Sequence, residues 1–383
     1  EIIHQESLNS ITSSFVSDGK EQHITTNYHA KLDKQEAENK KTRRSWSEVG
    51  NIKELKEGYL SHVVHKICKL MVDYNAIVVM EDLNFGFKKG RIHVEKQVYQ
   101  KFEKALIDKL NYLVFKDRDA QEPGGVLNAL QLSSKFDSFS KLGKQSGFIF
   151  YTQAAYTSKI DPTTGFLNLL NPKYTNVSAA QNLFKEFDSI RWNEKEQYFE
   201  FIFDYKKLSH TKKRECGVQT KWMICSYGRE RFVYDAKMNS NKGGYEQIDV
   251  TEKLKELFKG RCVDYKAVSK EDVVKQDDKS FFSNLIFYLR LLMQMRNSAT
   301  INGEVHDFIL SPVKNKEGVF YDSRHYNSHD AKLPQDADAN GAYNIALKGL
   351  LMIDKIKECD AGKKLNLAIS NKEWFEYAQG RVE

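Results

Sequence analysis

The apolar positions of this chain change period several times, and each change predicts an element. Over residues 51–74, Ile52, Leu55, Tyr59, Val63, Ile67 and Leu70 recur at helical spacing, with Leu60, Val64 and Met71 beside them. That places one apolar stripe on a helix and predicts packing on a core. Tyr74-Asn75 ends the stripe, and Ala76-Ile77-Val78-Val79-Met80 follows without polar alternation. Such a run predicts a strand covered on both faces. Val94, Val98, Phe102, Ala105, Leu106, Leu110 and Leu113 predict an amphipathic helix over 93–113, and Leu113-Val114-Phe115 a short strand. Residues 118–146 read as a loop region, and Phe148-Ile149-Phe150-Tyr151 as a second buried strand. At the N-terminal end, residues 1–17 predict one strand and a polar turn. Residues 27–48 carry Lys31, Lys34, Lys40, Lys41, Arg43 and Arg44 and predict an exposed helix ending in Trp46.

The pattern shifts after about residue 154. Residues 154–270 are aromatic and β-like, as in Tyr198-Phe199-Glu200-Phe201-Ile202-Phe203-Asp204-Tyr205. Helical spacing returns over 279–295 through Phe282, Leu285, Ile286, Leu289, Leu292 and Met293, and again over 339–356, before a short tail. The order is α/β, then an α+β stretch, then a final helix.

Composition narrows the class. The chain has 383 residues, 40% hydrophobic and 29% charged, which suits a soluble globular protein with a core. A net charge of +7 permits a polyanionic partner, although lysines also simply solvate a surface. The five cysteines are scattered and form no C-x-x-C pair, so a disulfide framework and a cysteine zinc site are disfavoured and a reducing, intracellular setting is expected. No apolar stretch reaches the ~18 residues of a membrane span. The start, Glu-Ile-Ile-His-Gln-Glu, resembles neither a signal peptide nor an initiator methionine and reads as the interior of a longer chain.

Two acids stand out. Glu81 ends the apolar run 76–80, where α/β folds gather their chemistry. Asp338 sits in Pro334-Gln-Asp-Ala-Asp-Ala-Asn-Gly-Ala-Tyr343, just before a helix. Brought together, they would offer the oxygen donors that hold Mg²⁺ for phosphodiester chemistry, with a third carboxylate needed. In that case residues 154–337 are a module inserted into a discontinuous α/β domain. Plainer readings stand beside this one: a strand-end acid turned to solvent for Glu81, and a helix N-cap for Asp336 or Asp338. The small residues Ala339, Gly341 and Ala342 would let the helix approach a sheet closely. After Glu81, the stretch Asn84-Phe85-Gly86-Phe87-Lys88-Lys89-Gly90-Arg91 mixes aromatics and cations as single-stranded nucleic-acid binders do, or is an exposed loop. Arg296, in Gln294-Met-Arg-Asn-Ser298, either complements a helix dipole or clamps a scissile phosphate. Asp307 and Arg324 are weaker candidates of the same kind. The histidines show no zinc spacing.

Ile52-Lys-Glu-Leu-Lys-Glu-Gly-Tyr-Leu-Ser61, Val79-Met-Glu-Asp-Leu-Asn-Phe-Gly-Phe-Lys88, Gln294-Met-Arg-Asn-Ser298 and Asp336-Ala-Asp-Ala-Asn-Gly-Ala-Tyr343 together resemble the type V-A CRISPR effector, the Cpf-type RNA-guided DNA endonuclease. The similarity runs in order over essentially the whole chain. It implies an α/β, RNase H-like (RuvC) domain, incomplete and discontinuous, interrupted by an α+β Nuc domain. The implied segments are 1–26 as the remnant of a first RuvC segment, 27–50 as bridge helix and 51–153 as RuvC segment II. Nuc then occupies 154–337 and RuvC segment III 338–383. Glu81 matches the second RuvC carboxylate, Asp338 the third, Arg296 the Nuc arginine needed for cutting, and Asp307 a nearby acidic Nuc position. Trp46 resembles the tryptophan that docks the bridge helix. Phe87, Lys88, Lys89 and Arg91 are the expected nucleic-acid contacts.

The resemblance implies metal-assisted hydrolysis with two Mg²⁺ ions about 4 Å apart, for which Mn²⁺ can substitute. The implied partners are guide RNA, target DNA and the N-terminal part of the effector, in a monomeric protein of the prokaryotic cytoplasm. The family's first carboxylate lies in an I-D-R-G-E-R strand that does not occur in residues 1–383. The chain alone is therefore expected to be a poor nuclease or none. Two other readings are a non-catalytic nucleic-acid-binding or assembly module of a split effector, and a free-standing nuclease using Glu1, Glu6 or Asp18 instead.

Overall fold

The computed structural model describes residues 2, 3, 6, 10–17, 20–42, 52–83, 96–139, 141–228, 230–236, 243–261, 264–301, 304–325, 332–360 and 362–380. The chain forms two compact units, His4–Ala154 with Lys364–Ala368, and Glu1–Ile3 with Ala155–Lys363 and Ile369–Glu383.

The first unit opens with a hairpin, β1 (Ser10–Ser17) paired antiparallel to β2 (Lys20–Asn27), where the sequence predicted one strand and a polar turn. The lysine-rich segment is helical as expected, as α1 (Tyr28–Thr42); Trp46 lies outside the described residues. Helix α2 (Ile52–Asp73) buries Val63, Val64, Cys68 and Met71. Beyond its last residue Asp73, Asn75 turns the chain away with a left-handed φ of 49°, a conformation Asn tolerates better than most side chains. The Ala76 N–H then closes on the Met71 carbonyl at 2.8 Å. Strand β3 (Val78–Glu81) follows, then α3 (Lys96–Asn111), β4 (Gln145–Ser146) and β5 (Ile149–Thr152).

In this sheet β5 is central, parallel to β3 with Glu81 opposite Thr152, and antiparallel to β4. The fully covered strand is β5; β3 is buried only at Met80 and half-buried elsewhere, which corrects the expectation of cover on both faces. Leu113–Phe115 is not a strand but holds a single bridge, Leu113 to Leu130. Leu106, Ile107, Leu110 and Leu113 are fully buried against Val64, Cys68, Met71, Ile149 and Tyr151. At about 1.5–3 kcal/mol for each buried apolar side chain, this cluster holds β3 and β5 to their two helices.

The second unit mixes helices with small sheets. It contains α4 (Val177–Lys185), then the antiparallel sheet β6 (Ser189–Asn193), β7 (Tyr198–Asp204) and β8 (Lys221–Cys225), with β7 central. Hairpin β9 (Glu230–Asp235) and β10 (Gly244–Asp249) leads into α5 (Val250–Lys259), α6 (Lys270–Val274) and α7 (Lys279–Met293). Asn176, Asp249, Ser269 and Asp278 cap these four helices with their side chains, so the polar residues between aromatic runs mark helix starts. The aromatics form the core: Trp192 meets Phe199 at 4.9 Å, Phe166 meets Trp222 at 5.1 Å and Phe187 meets Phe203 at 5.5 Å. Hairpin β11 (Arg296–Ile301) and β12 (Glu304–Ile309) follows, then α8 (Ala337–Glu358) and α9 (Asn371–Gly380), a helix in what read as a tail. Trp374 of α9 is fully buried and donates to the Tyr156 carbonyl at 3.2 Å. Cys68, Cys216 and Cys225 are buried free thiols, and no described helix is long and apolar enough to cross a membrane.

Candidate active site

Glu81 is the last residue of β3, as its place after the apolar run predicts. The strand end is held from three sides. The Asp82 N–H donates to the Thr152 carbonyl at 2.8 Å, the Tyr99 hydroxyl of α3 donates to the Glu81 carbonyl, and buried Asp82 accepts the Lys141 N–H at 3.1 Å. Nearby stand buried Glu103, Tyr151 and Lys141 and half-buried Tyr99. Burial, reinforced by the Glu103 charge, pushes both tyrosine hydroxyls well above their ordinary range, so they stay protonated as donors. Lys141 Nζ lies 5.1 Å over the Phe136 ring and 5.5 Å over the Tyr151 ring. The backbone carrying Glu81 is thus fixed while its side chain remains half-buried at the strand end. In the sequence Asp82 stands only as one position of the matched segment Val79–Lys88; Tyr99, Glu103 and Lys141 carried no signal, since none belongs to a spaced motif.

Asp338 belongs to the second unit. The cap of α8 is Asp336, whose Oδ1 accepts the Ala339 N–H at 2.7 Å. Asp338 is therefore released from capping and stands in the first helical turn, where the N-terminal dipole favours a carboxylate and the side chain is 88% exposed. The face of α8 that packs is Ala337, Asn340, Asn344, Leu347 and Lys348, with Asn340 donating to the Ile160 carbonyl at 3.0 Å. A Cβ added at Gly341 would meet nothing within 4 Å among the described residues, and Ala342 is exposed.

Arg296 opens β11 instead of ending a helix, because α7 stops at Met293 and Gln294 turns extended at ψ 119°. Its helix-dipole reading is thereby removed. The guanidinium reaches Asp307 Oδ2 at 3.7 Å and Asp338 Oδ1 at 3.8 Å. Ser298 pairs with Asp307 and Arg296 with Ile309, so Arg296 and Asp307 are diagonal neighbours on one face of the hairpin. Burial raises the Asp307 carboxyl, Arg296 opposes that, and Asp336 and Asp338 add to it. The Arg296–Asp338 pair, 51% and 88% exposed, is worth about 0–1 kcal/mol, so the arginine can exchange this partner for another anion readily. Arg324, by contrast, is committed to structure: it bonds Asp322 at 2.6 Å and Glu230 at 2.9 Å and lies 4.3 Å over Phe308.

The candidates divide between the units, Glu81 in the first and Arg296, Asp307 and Asp338 together in the second. Phe87, Lys88, Lys89 and Arg91 lie outside the described residues. Taken singly, Glu81 at a strand end and Asp338 in an exposed first turn are each hard oxygen donors of the type divalent cations take. Among the described residues no three or more His, Cys, Asp or Glu side chains form a group that could hold a metal. A strand-end carboxylate, a helix-start carboxylate and an arginine with interchangeable anionic partners are parts that hydrolytic cleavage of a phosphodiester uses. The chain matches the RuvC nuclease domain over residues 1–383, and it belongs to that family of nucleases.

Proposed function

We propose that this chain is the nuclease portion of a type V-A CRISPR effector, cutting the target and non-target strands of DNA selected by a guide RNA. The observation that carries the reading is Arg296, which in a chain of the RuvC nuclease family stands 3.7 and 3.8 Å from Asp307 and Asp338. Mg²⁺, or Mn²⁺ in its place, held by Glu81, Asp338 and a further carboxylate, would supply an activated water and stabilise the leaving oxygen. Arg296 exchanges its exposed carboxylate partner for the scissile phosphate and neutralises charge there. Asp307 orients the guanidinium from the neighbouring strand. Tyr99 and Asp82 fix the strand end that carries Glu81. Phe87, Lys88, Lys89 and Arg91 contact the nucleic acid, and Trp46 docks the helix before it onto the rest of the effector.

The reading takes the further carboxylate from an I-D-R-G-E-R-like strand outside residues 1–383. Mg²⁺-dependent cleavage of labelled single-stranded DNA tests this. Residues 1–383 alone should cut weakly or not at all, and adding the upstream segment and guide RNA should restore cutting. In the restored enzyme Glu81→Ala and Asp338→Ala should abolish turnover, and Arg296→Ala should lower it about 10²–10³-fold. Robust cutting by residues 1–383 alone would sink the need for an upstream ligand. Salt-sensitive DNA binding with no turnover after complementation would favour a non-catalytic module.

A further inference from the structure

The second unit contains an arginine whose role the nuclease reading does not use. Arg231, on β9, is 1% exposed and among the largest fully buried side chains. Its Nε donates to the Leu291 carbonyl at 3.0 Å, and an Nη donates to the Gln294 carbonyl. These carbonyls belong to the last turn of α7 and its cap, where helix carbonyls lack a full set of intrahelical partners; the Leu291 carbonyl also accepts the Gln294 N–H at 3.3 Å. A planar guanidinium can satisfy two of them at once, and its charge complements the negative end of the helix dipole. The dipole role open to Arg296 in the sequence is thus filled by Arg231.

The reach is returned from the other strand. Asn297, 2% exposed and next to Arg296, donates from Nδ2 to the Glu230 carbonyl at 3.0 Å and accepts the Phe232 N–H at 3.2 Å. These groups lie on either side of Arg231 along β9. Arg231 therefore holds the backbone two residues before Arg296, and Asn297 holds the backbone immediately after it. On the far side, the Leu310 N–H donates to the Met295 carbonyl at 3.0 Å. Arg296 is the exposed first residue of β11, and the backbone on both sides of it is tied down.

We propose that Arg231, with Asn297, is a positioning residue for Arg296. The clasp sets the direction from which the Arg296 guanidinium meets Asp307, Asp338 and, on the reading above, the scissile phosphate. Its catalytic meaning rests on that reading, while the clasp itself does not. Arg231→Met keeps chain length but no donors. Arg231→Lys keeps the charge but reaches one carbonyl at a time. Asn297→Ala releases this backbone from the opposite strand, so the test does not depend on one variant folding.

Two measurements on the full-length protein with its guide RNA decide the matter. In cleavage, Arg231→Met and Asn297→Ala should lower kcat about 10- to 100-fold, the scale expected for a misplaced catalytic group, with KM for DNA little changed. Arg231→Lys should recover part of the loss. In an Arg296→Ala background the same substitutions should have almost no further effect, because the group they position is gone. In hydrogen exchange without DNA, Gln294–Asn297 amides should exchange faster in both variants. Unchanged exchange, or an equal loss of cleavage in the Arg296→Ala background, overturns the proposal. An Arg296→Ala enzyme that cuts at the parental rate retires the nuclease role of Arg296 instead, and exchange alone then decides the clasp.

Discussion

Arg296, Asp307, Asp322 and Arg324 form a short series in which burial sorts charged residues by role. Arg296 and Asp338 pair weakly in the open, as groups that must change partners do. Asp322 is 12% exposed and bound to Arg324 through both carboxylate oxygens. Burial acts to raise its carboxyl, but the guanidinium and the Arg324 N–H outweigh burial and hold it below the ordinary value of 3.8. A carboxyl lowered on folding binds its proton more readily when unfolded. Its stabilisation is therefore fully present above about pH 4 and is lost as pH falls through the folded value. Asp322→Asn should cost about 1.5–3 kcal/mol at pH 7, with the gap to the parent closing toward pH 2 in urea melts. A gap independent of pH would refute this account. The sequence could rank Arg296 and Arg324 only by neighbourhood, because exposure and the identity of the facing acid come from strands that pair later.

At the scale of elements, periodicity was a good guide where packing is one-sided. Helices α2 and α7 follow their apolar stripes, whereas α8 forms where helical spacing put it but packs through Asn340, Asn344 and Lys348 as well as Leu347 and Met352; Glu81 and Asp338 fall at the strand end and helix start where the pattern put them. Between residues 154 and 270 it was incomplete: β6–β10 stand where the pattern read as β-like, but α4 and α5 went unseen, because aromatics serve sheet and helix alike and the deciding signals are single capping side chains. It also failed at α9, whose ten residues carry too little apolar periodicity to separate a helix from a tail. That helix is held by close approach: Gly165 has a φ of +65°, and a Cβ there would stand 2.7 Å from the Ala378 carbonyl oxygen. Gly165→Ala should lose at least about 1–2 kcal/mol from the left-handed backbone alone. Denaturant melts read the loss, and limited proteolysis should then cut α9 first. A variant as stable as its parent would show that the contact relaxes freely.

Residues 1–383 carry a net charge of +7, and the proposed nucleic-acid partner makes that charge testable. Binding to single-stranded DNA should weaken steadily between 50 and 200 mM KCl, with a linear dependence of log affinity on log salt, measured by fluorescence anisotropy. Affinity indifferent to salt would show that the positive charge does not face the nucleic acid. By itself the sequence determined which segments are helix or strand where one face is apolar, the ends at which carboxylates stand, and, through long matched motifs, the family expectation. These follow from local period and residue identity, which need no partner to be read. Only the tertiary structure decided that Asp336 caps α8 and leaves Asp338 exposed, that α7 stops before Arg296, and that Arg231 takes the helix end. Each depends on which of several chemically equivalent groups arrives first at one set of unpaired backbone atoms, and that is settled by packing between residues far apart in the chain.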